Sequence, residues 1–281
     1  MRNMPNRSGP SHAELKIVEK LLELRHREEI MWKQRARIEW LRAGDKYTRF
    51  FRLRATRRRR KNMITRLKKP DGQITEDGQE MASLATSFYK TLYASEGIEN
   101  MEAILSTVPV KVSSNMNNQM LADIKASEVK DALFQMFPTK APGPDGYPAH
   151  FFQRHWDLCG EEVTSVVLRV LSGEDDPVRI NNTFIVLIPK VNRPEELGQF
   201  RPISLCNVIY KIVSKVLANR LKMLLPEIVS EKQSAFVPNR LITDNIIAAY
   251  ECLHFMKQKR PSDQRYCALK LDMKKAYDRV E

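Results

Sequence analysis

Long apolar runs are what this 281-residue sequence has least of. The longest obvious one, at 184–188, falls far short of the roughly 20 residues that a membrane-crossing helix needs. The first ten residues, interrupted by Pro5, Gly9 and Pro10, hold no apolar signal core. Neither a helical membrane span nor a secretory signal is therefore expected, and the predicted location is intracellular, in nucleus or cytoplasm. Cysteine is scarce too. Cys159, Cys206, Cys252 and Cys267 are widely separated and form no paired spacing, which argues against a zinc site or a disulfide framework and predicts reduced, buried thiols.

What is present is basic charge on a chain able to fold. Hydrophobic residues make up 42% of the sequence, enough for one large domain or two ordinary ones. The formal net charge is +13 and the pI about 9.6, which calls for an anionic partner. Nucleic acid is the commonest such partner, and a membrane surface is the rival reading.

Periodicity gives a coarse order of elements. From Ala13 a helix is predicted, its apolar stripe made by Ile17, Val18, Leu21, Leu22 and Leu24 and extended by Ile30, Met31, Ile38 and Leu41 as far as Gly44. Asp45 can cap a second helix carrying Tyr47, Phe50, Phe51 and Arg54, which ends in the run Arg57, Arg58, Arg59, Arg60 and Lys61. That run is either a solvated helix end, a nuclear-import signal or a phosphate contact. Guanidinium groups displace condensed counterions without reading bases, and Trp32, Trp40, Tyr47 and Phe51 lie among the charges. Pro-Asp-Gly at 70–72 predicts a hairpin turn between strands at 63–67 and 73–75. Asp77 and Glu80 suggest a capping box for a helix with Met81, Leu84, Ala85, Phe88 and Leu92 inward. Residues 94–119 read as linker around a short helix at 101–105. Ser127 is expected to cap a helix that buries Val129, Leu133, Met136 and Phe137.

Further on, Phe151, Phe152 and Trp156 are expected in the core, with base-stacking as the alternative, and a helix at 161–172 turns Val163, Val166, Val167, Val170 and Leu171 inward. Strands at 183–188 and 199–206 could form a flap with cationic ends, Lys190 and Arg201. Asn207 is expected to cap a long helix reaching 225, with Ile209, Ile212, Val213, Val216 and Leu217 inward, Arg220 and Lys222 outward, and Pro226 as its stop. Thr243 is expected to cap another helix through Met256. The last stretch reads as a strand at 266–271 that delivers Asp272 at its end, followed by a helix lined by Ala276, Tyr277 and Val280. An Asp at a strand end can anchor a hard cation, or it can be a helix cap or a solvated turn residue.

The order of residues around Asp272 goes further. Leu-Asp-x-x-x-Ala-Tyr-Asp at 271–278 resembles motif A of the reverse transcriptases of non-LTR, LINE-type retrotransposons. Other blocks of that family appear upstream in sequence order. Lys-Ala-Pro-Gly-Pro-Asp-Gly at 140–146 looks like motif 0, the two cationic strands like motifs 1 and 2, and Gln-Ser-Ala-Phe-Val-Pro-Asn-Arg-Leu-Ile-Thr-Asp-Asn at 233–245 like motif 2a. Trp-Lys-Gln-Arg at 32–35 and Trp-Leu-Arg-Ala-Gly-Asp-Lys at 40–46 are similar to the connector of plant LINE proteins.

The resemblance implies a helix-rich α+β fold: a basic helical connector at 1–62, a hairpin and helical region at 63–137, and at 138–281 the fingers and first palm strand of a right-hand polymerase. It implies RNA template, DNA primer, deoxynucleotide triphosphates and Mg2+ as partners. Asp272 and the backbone carbonyl of Met273 would be metal ligands, with Asp272 catalytic. Lys190 and Arg201 would contact the triphosphate, and Tyr277 would lie under the sugar. Lys140, Gln233, Phe236 and Arg240 would follow the nucleic acid, although Arg240 could instead pair with Asp244, and Asp278 could serve only as a helix-turn hydrogen bonder. In the family, further essential carboxylates lie on a hairpin with an aromatic-Ala-Asp-Asp sequence, which these 281 residues do not contain, so the chain alone is expected to be inactive. A non-catalytic nucleic-acid-binding protein derived from such an element is the competing expectation.

Overall fold

The computed structural model describes residues 11–36, 48–95, 97, 101–258 and 266–271. In chain order these form α1 (His12–Ala36), α2 (Thr48–Asn62), β1 (Leu67–Lys68), β2 (Ile74–Thr75), α3 (Gly78–Leu92), α4 (Met101–Leu105) and α5 (Ser114–Leu121). There follow α6 (Ala126–Phe134), α7 (Ala149–Arg154), α8 (Trp156–Ser172), β3 (Thr183–Pro189), β4 (Phe200–Cys206), α9 (Val208–Ile228) and α10 (Ile242–Gln258). Helices dominate, and the strands pair as β1 with β2 and β3 with β4. The described residues fall into two compact units, one drawn from 1–82 and 187–203, the other from 83–186 and 204–281. No helix among the described residues is long and apolar enough to cross a membrane.

In the first unit α1 and α2 pack together, burying Ala36 and Phe51. The guanidinium of Arg52 lies 5.9 Å from the centroid of the Trp32 ring, with that of Arg35 at 5.4 Å. The expected stripe of Ile17, Val18, Leu21, Leu22 and Leu24 is exposed, since α2 meets α1 near Trp32. The Pro-Asp-Gly turn forms as its chemistry dictates: Gly72 adopts φ +90°, its amide donates to Lys69 O at 3.0 Å, and Leu67 pairs antiparallel with Thr75. The strands are shorter than expected, and residues 63–66 are not part of them. Only half of the predicted capping box is made. Glu80 N donates to Asp77 Oδ2, but the Glu80 carboxylate turns to Thr75 Oγ1 and Lys69 Nζ instead of reaching back.

The core of the second unit lies between α6, α8 and α9. Val129 and Leu133, Val163 and Val167, and Val208, Ile212 and Val216 recur four residues apart, so each helix turns one apolar row inward. Full burial of each such side chain contributes on the order of 1.5–3 kcal/mol.

Several sequence expectations are corrected in this unit. Residues 114–119, expected as linker, belong to α5, which is capped by Ser113 Oγ accepting from Met116 N at 3.2 Å. Helix α6 starts one residue before Ser127, which therefore cannot cap it, and Phe137 is exposed. Phe151 too is partly open to solvent, whereas Phe152 and Trp156 pack against the core. Pro226 lies inside α9, in its last turn, rather than at its stop; having no N–H, it leaves the Lys222 carbonyl without that helical donor. Thr243 falls within α10. Cys252 and Cys267 are exposed, not buried.

Arg220 is the largest reversal. It was expected outward, yet it is 7% exposed and donates to Glu128 through Nε and Nη2, both at 2.8 Å. It also donates to the carbonyls of Met120 and Asp123, each at 2.9 Å, and to that of Ala122. A guanidinium can occupy such a place because every donor has a partner. Leu217, assigned inward, is exposed instead.

Candidate functional site

The β3–β4 hairpin carries Lys190 and Arg201, both exposed. The Lys190 amide donates to Gln199 O at 2.8 Å, and Arg201 lies two residues beyond Gln199, so both cations spring from neighbouring points of one ladder. The loop between the strands is tied to β1: Lys68 N donates to Glu195 O at 2.7 Å, and Arg66 pairs with the Glu195 carboxylate at 2.6 Å. Beside that tie lies a cleft of about 630 Å³ whose lining includes Arg60, Lys61, Arg66 and Arg193. The whole run Arg57, Arg58, Arg59, Arg60 and Lys61 is exposed at the end of α2. Arg66 and Arg193 belong to no basic run or motif in the sequence. Arg66 lies six residues beyond Arg60, whereas Arg193 comes beside them only through pairing across more than a hundred residues.

In the second unit the 140–146 loop is held against the start of α9. Gly143 is buried, and a Cβ there would meet the Cys206 carbonyl carbon at 2.5 Å and the amide nitrogen and Oδ1 of Asn207 closer still. Only glycine permits that approach. Asn207 stands at the N-cap position, yet its Oδ1 accepts from Asp145 N at 3.3 Å instead of capping its own helix. Lys211 Nζ donates to Ala141 O at 3.1 Å. Lys140 is left exposed, its ammonium 5.9 Å from the Phe137 ring centroid.

Residues 229–241 form a second anchored loop. Arg240 donates to Pro226 O, Val229 O, Ser230 O and Gln233 O, at 3.1, 3.4, 2.5 and 2.8 Å, so its guanidinium serves the loop and the last turn of α9 rather than Asp244. Ser234, buried, donates to Asn245 Oδ1 at 2.8 Å. Between these anchors Phe236 projects 95% exposed, at φ +66°, and Gln233 is exposed beside it. An aromatic residue held in the left-handed region with its ring in solvent costs about 1–3 kcal/mol of local strain.

Asp272, Met273, Tyr277 and Asp278 lie outside the described residues. Those immediately before them, 266–271, are described and form no strand, with Leu269 and Leu271 exposed. A strand exists only as a member of a ladder, and among the described residues none pairs with this one. The described residues hold no group of three or more His, Cys, Asp or Glu that could bind a metal.

Residues 188–281 match the model of the family described as "Reverse transcriptase (RNA-dependent DNA polymerase)". The chain is 32% identical over 249 residues to the "Transposon TX1 uncharacterized 149 kDa protein" of Xenopus laevis, a match covering 88% of this chain and 19% of that protein. It is 22% identical over 233 residues to the "Probable RNA-directed DNA polymerase from transposon BS" of Drosophila melanogaster, covering 75% and 23% respectively. Against the "Retrovirus-related Pol polyprotein from type-1 retrotransposable element R1" of Bradysia coprophila, identity is 24% over 230 residues, covering 80% and 21%. The chain thus spans about a fifth of the length of these relatives. The chain is thus similar to reverse transcriptases over residues 188–281, and over most of its length to proteins of transposons and a retrotransposable element.

Proposed function

We propose that this chain is part of an RNA-directed DNA polymerase of a non-LTR retrotransposon, contributing the connector, the fingers and the start of the palm to an intracellular enzyme of nucleus or cytoplasm. The observation that carries the reading is the family match over 188–281, which takes in Lys190, Arg201 and Leu-Asp-x-x-x-Ala-Tyr-Asp at 271–278. The reaction is attack of a primer 3′ hydroxyl on the α-phosphate of a deoxynucleotide, with pyrophosphate leaving.

Lys190 offers a mobile point charge and Arg201 a planar fork, a suitable pair for a triphosphate. Their exposure on one hairpin supports that role. Tyr277 would lie under the sugar and exclude a 2′ hydroxyl. Phe236, with its ring in solvent, would stack against the template–primer beside Gln233, and Arg240 would act there through the loop it holds. Lys140 and the run from Arg57 to Lys61 would contact phosphates.

The donor set for magnesium is the Asp272 carboxylate with the Met273 carbonyl, oxygen ligands only, and this fits a hard cation. Bound magnesium would activate the attacking oxygen and neutralise the leaving one. A two-ion site carries four positive charges, more than one carboxylate and a triphosphate hold in register, so the reaction calls for carboxylates besides Asp272. In a chain extended to include the family's aromatic-Ala-Asp-Asp hairpin, Asp272→Asn is expected to abolish primer extension on an RNA template while RNA binding persists. Extension that survives the substitution removes Asp272 from the chemistry.

A further inference from the structure

The cleft beside the β3–β4 loop joins the end of the basic run to two cations, Arg66 and Arg193, that the polymerase reading does not use. Four of its ten lining residues are cations, Arg60, Lys61, Arg66 and Arg193, against one carboxylate, Glu76. Two of the cations come from the end of α2 and one from the approach to β1. The fourth belongs to the loop at 191–199, so the cleft is assembled from chain segments that no local pattern connects.

The assembly is held in place at some cost. Arg193 has φ +52° although it carries a side chain and precedes Pro194, two conditions that disfavour such a backbone. What holds it is the tie two residues on, where Glu195 accepts from Lys68 N at 2.7 Å and pairs with Arg66 at 2.6 Å. Gln199 Oε1 adds a bond from Glu195 N at 2.9 Å. A strained, exposed arginine fixed beside two further exposed cations repels its neighbours in the free protein, and an anion relieves that repulsion.

The charge also continues past the cleft. Helix α2 carries Arg49, Arg52, Arg54, Arg57, Arg58, Arg59, Arg60 and Lys61 in 15 residues and has no acidic residue. At 1.5 Å per residue the helix that carries them is roughly 22 Å long. A compact anion neutralises one end of it, whereas a polymer sets phosphates along all of it. The apolar Met63, Val191 and Pro194 in the lining suit sugar or base surface rather than a bare inorganic ion.

We propose that the cleft formed by Arg60, Lys61, Arg66 and Arg193 seats the phosphate backbone of a single-stranded polynucleotide, which continues along α2. The site deepens the polymerase reading and rests on it for the identity of the strand. Because the cleft's loop is the β3–β4 loop, a strand seated there also braces the hairpin that carries Lys190 and Arg201.

The test measures binding of a fluorescent 20-nucleotide oligo(U) RNA to the full chain by anisotropy across a salt series. The variants are Arg193→Glu, Arg60→Glu and, as a charge-matched control on the exposed 108–113 segment, Lys111→Glu. Far-UV circular dichroism checks that each remains folded. Arg193→Glu and Arg60→Glu are each expected to weaken binding about tenfold or more at low salt and to reduce the salt slope by about one to two, with Lys111→Glu within about threefold of the parent. A parent that binds while both cleft variants are silent, or no worse than Lys111→Glu, overturns the cleft and leaves the polymerase reading standing. A parent that fails to bind oligo(U) at all counts against both. If tripolyphosphate binds the parent as tightly as oligo(U) does and loses the same factor in Arg193→Glu, the cleft is a compact-anion site and the polymer assignment falls.

Discussion

Replacing Arg220 by methionine keeps most of the aliphatic stem but removes five hydrogen bonds, two to the Glu128 carboxylate and three to the carbonyls of Met120, Ala122 and Asp123. Those contacts hold the turn between α5 and α6 onto α9 across 92 to 100 residues of sequence. Breaking a buried pair costs about 3–5 kcal/mol. Glu128 and the turn carbonyls can regain water on their open side, so the lower end, about 3 kcal/mol, is expected. Arg220 holds the Glu128 carboxyl down to about 2 from its usual 4.5, chiefly by direct hydrogen bonding and against the opposing effect of burial. At about 1.4 kcal/mol per pKa unit that depression is worth at most about 3.5 kcal/mol. Screening at the open third of Glu128 brings it to about 1–2 kcal/mol. Since the folded pKa is the lower one, the stabilisation is complete above about pH 5 and is lost as pH falls from there toward 2. Amide hydrogen exchange of α6 and α9 at pH 7, with urea unfolding at pH 7 and pH 3, reads both effects within this unit. Arg220→Met should open α6 and α9 by about 3 kcal/mol and Glu128→Gln by about 1–2, with the acid-dependent part missing in Glu128→Gln. An Arg220→Met protein within about 0.5 kcal/mol of the parent, or a Glu128→Gln protein with the parent's acid sensitivity, refutes the account.

Gly143→Ala forces a methyl group into the backbone of Cys206 and Asn207, which cannot swing aside, and should cost about 3 kcal/mol or release the 140–146 loop. Faster exchange of the Asp145 amide would register the release, and an unperturbed Asp145 would argue against the close approach. Phe236→Ala removes a ring that is 95% exposed, so the melting temperature should hold while oligo(U) affinity falls by about 1–3 kcal/mol; a protein that loses stability but not affinity would make the residue structural. Arg240→Ala should act in the opposite way, loosening residues 229–241 because four carbonyls lose their donor, as proteolysis within that loop would report. Oligo(U) affinity of the parent should drop by orders of magnitude between 50 and 200 mM salt if it makes about six or more phosphate contacts, and a flat titration would point to a different partner.

Short-range chemistry was legible in the sequence alone. Helices α8 and α9 follow from rows of Val and Ile at helical spacing, the first hairpin from Pro-Asp-Gly, and β3 from a β-branched and aromatic run that ends at Pro189. Steric preference and a repeated apolar face decide these within a few residues. The family blocks were legible too, being strings of residue types. Arg220 was read as outward because charge alone argues for solvent, and its burial depends on Glu128 and three carbonyls nearly a hundred residues away. Residues 266–271 had the alternation of a strand but form none, since a ladder needs a second strand and propensity cannot supply it. Likewise Arg193 is unremarkable in sequence and becomes one wall of a cationic cleft only because Glu195 is tied to β1. Local preference thus determined which elements form, whereas the partners of each charge were decided by chain closure over long separations, where geometry and desolvation outweigh the character of any single residue.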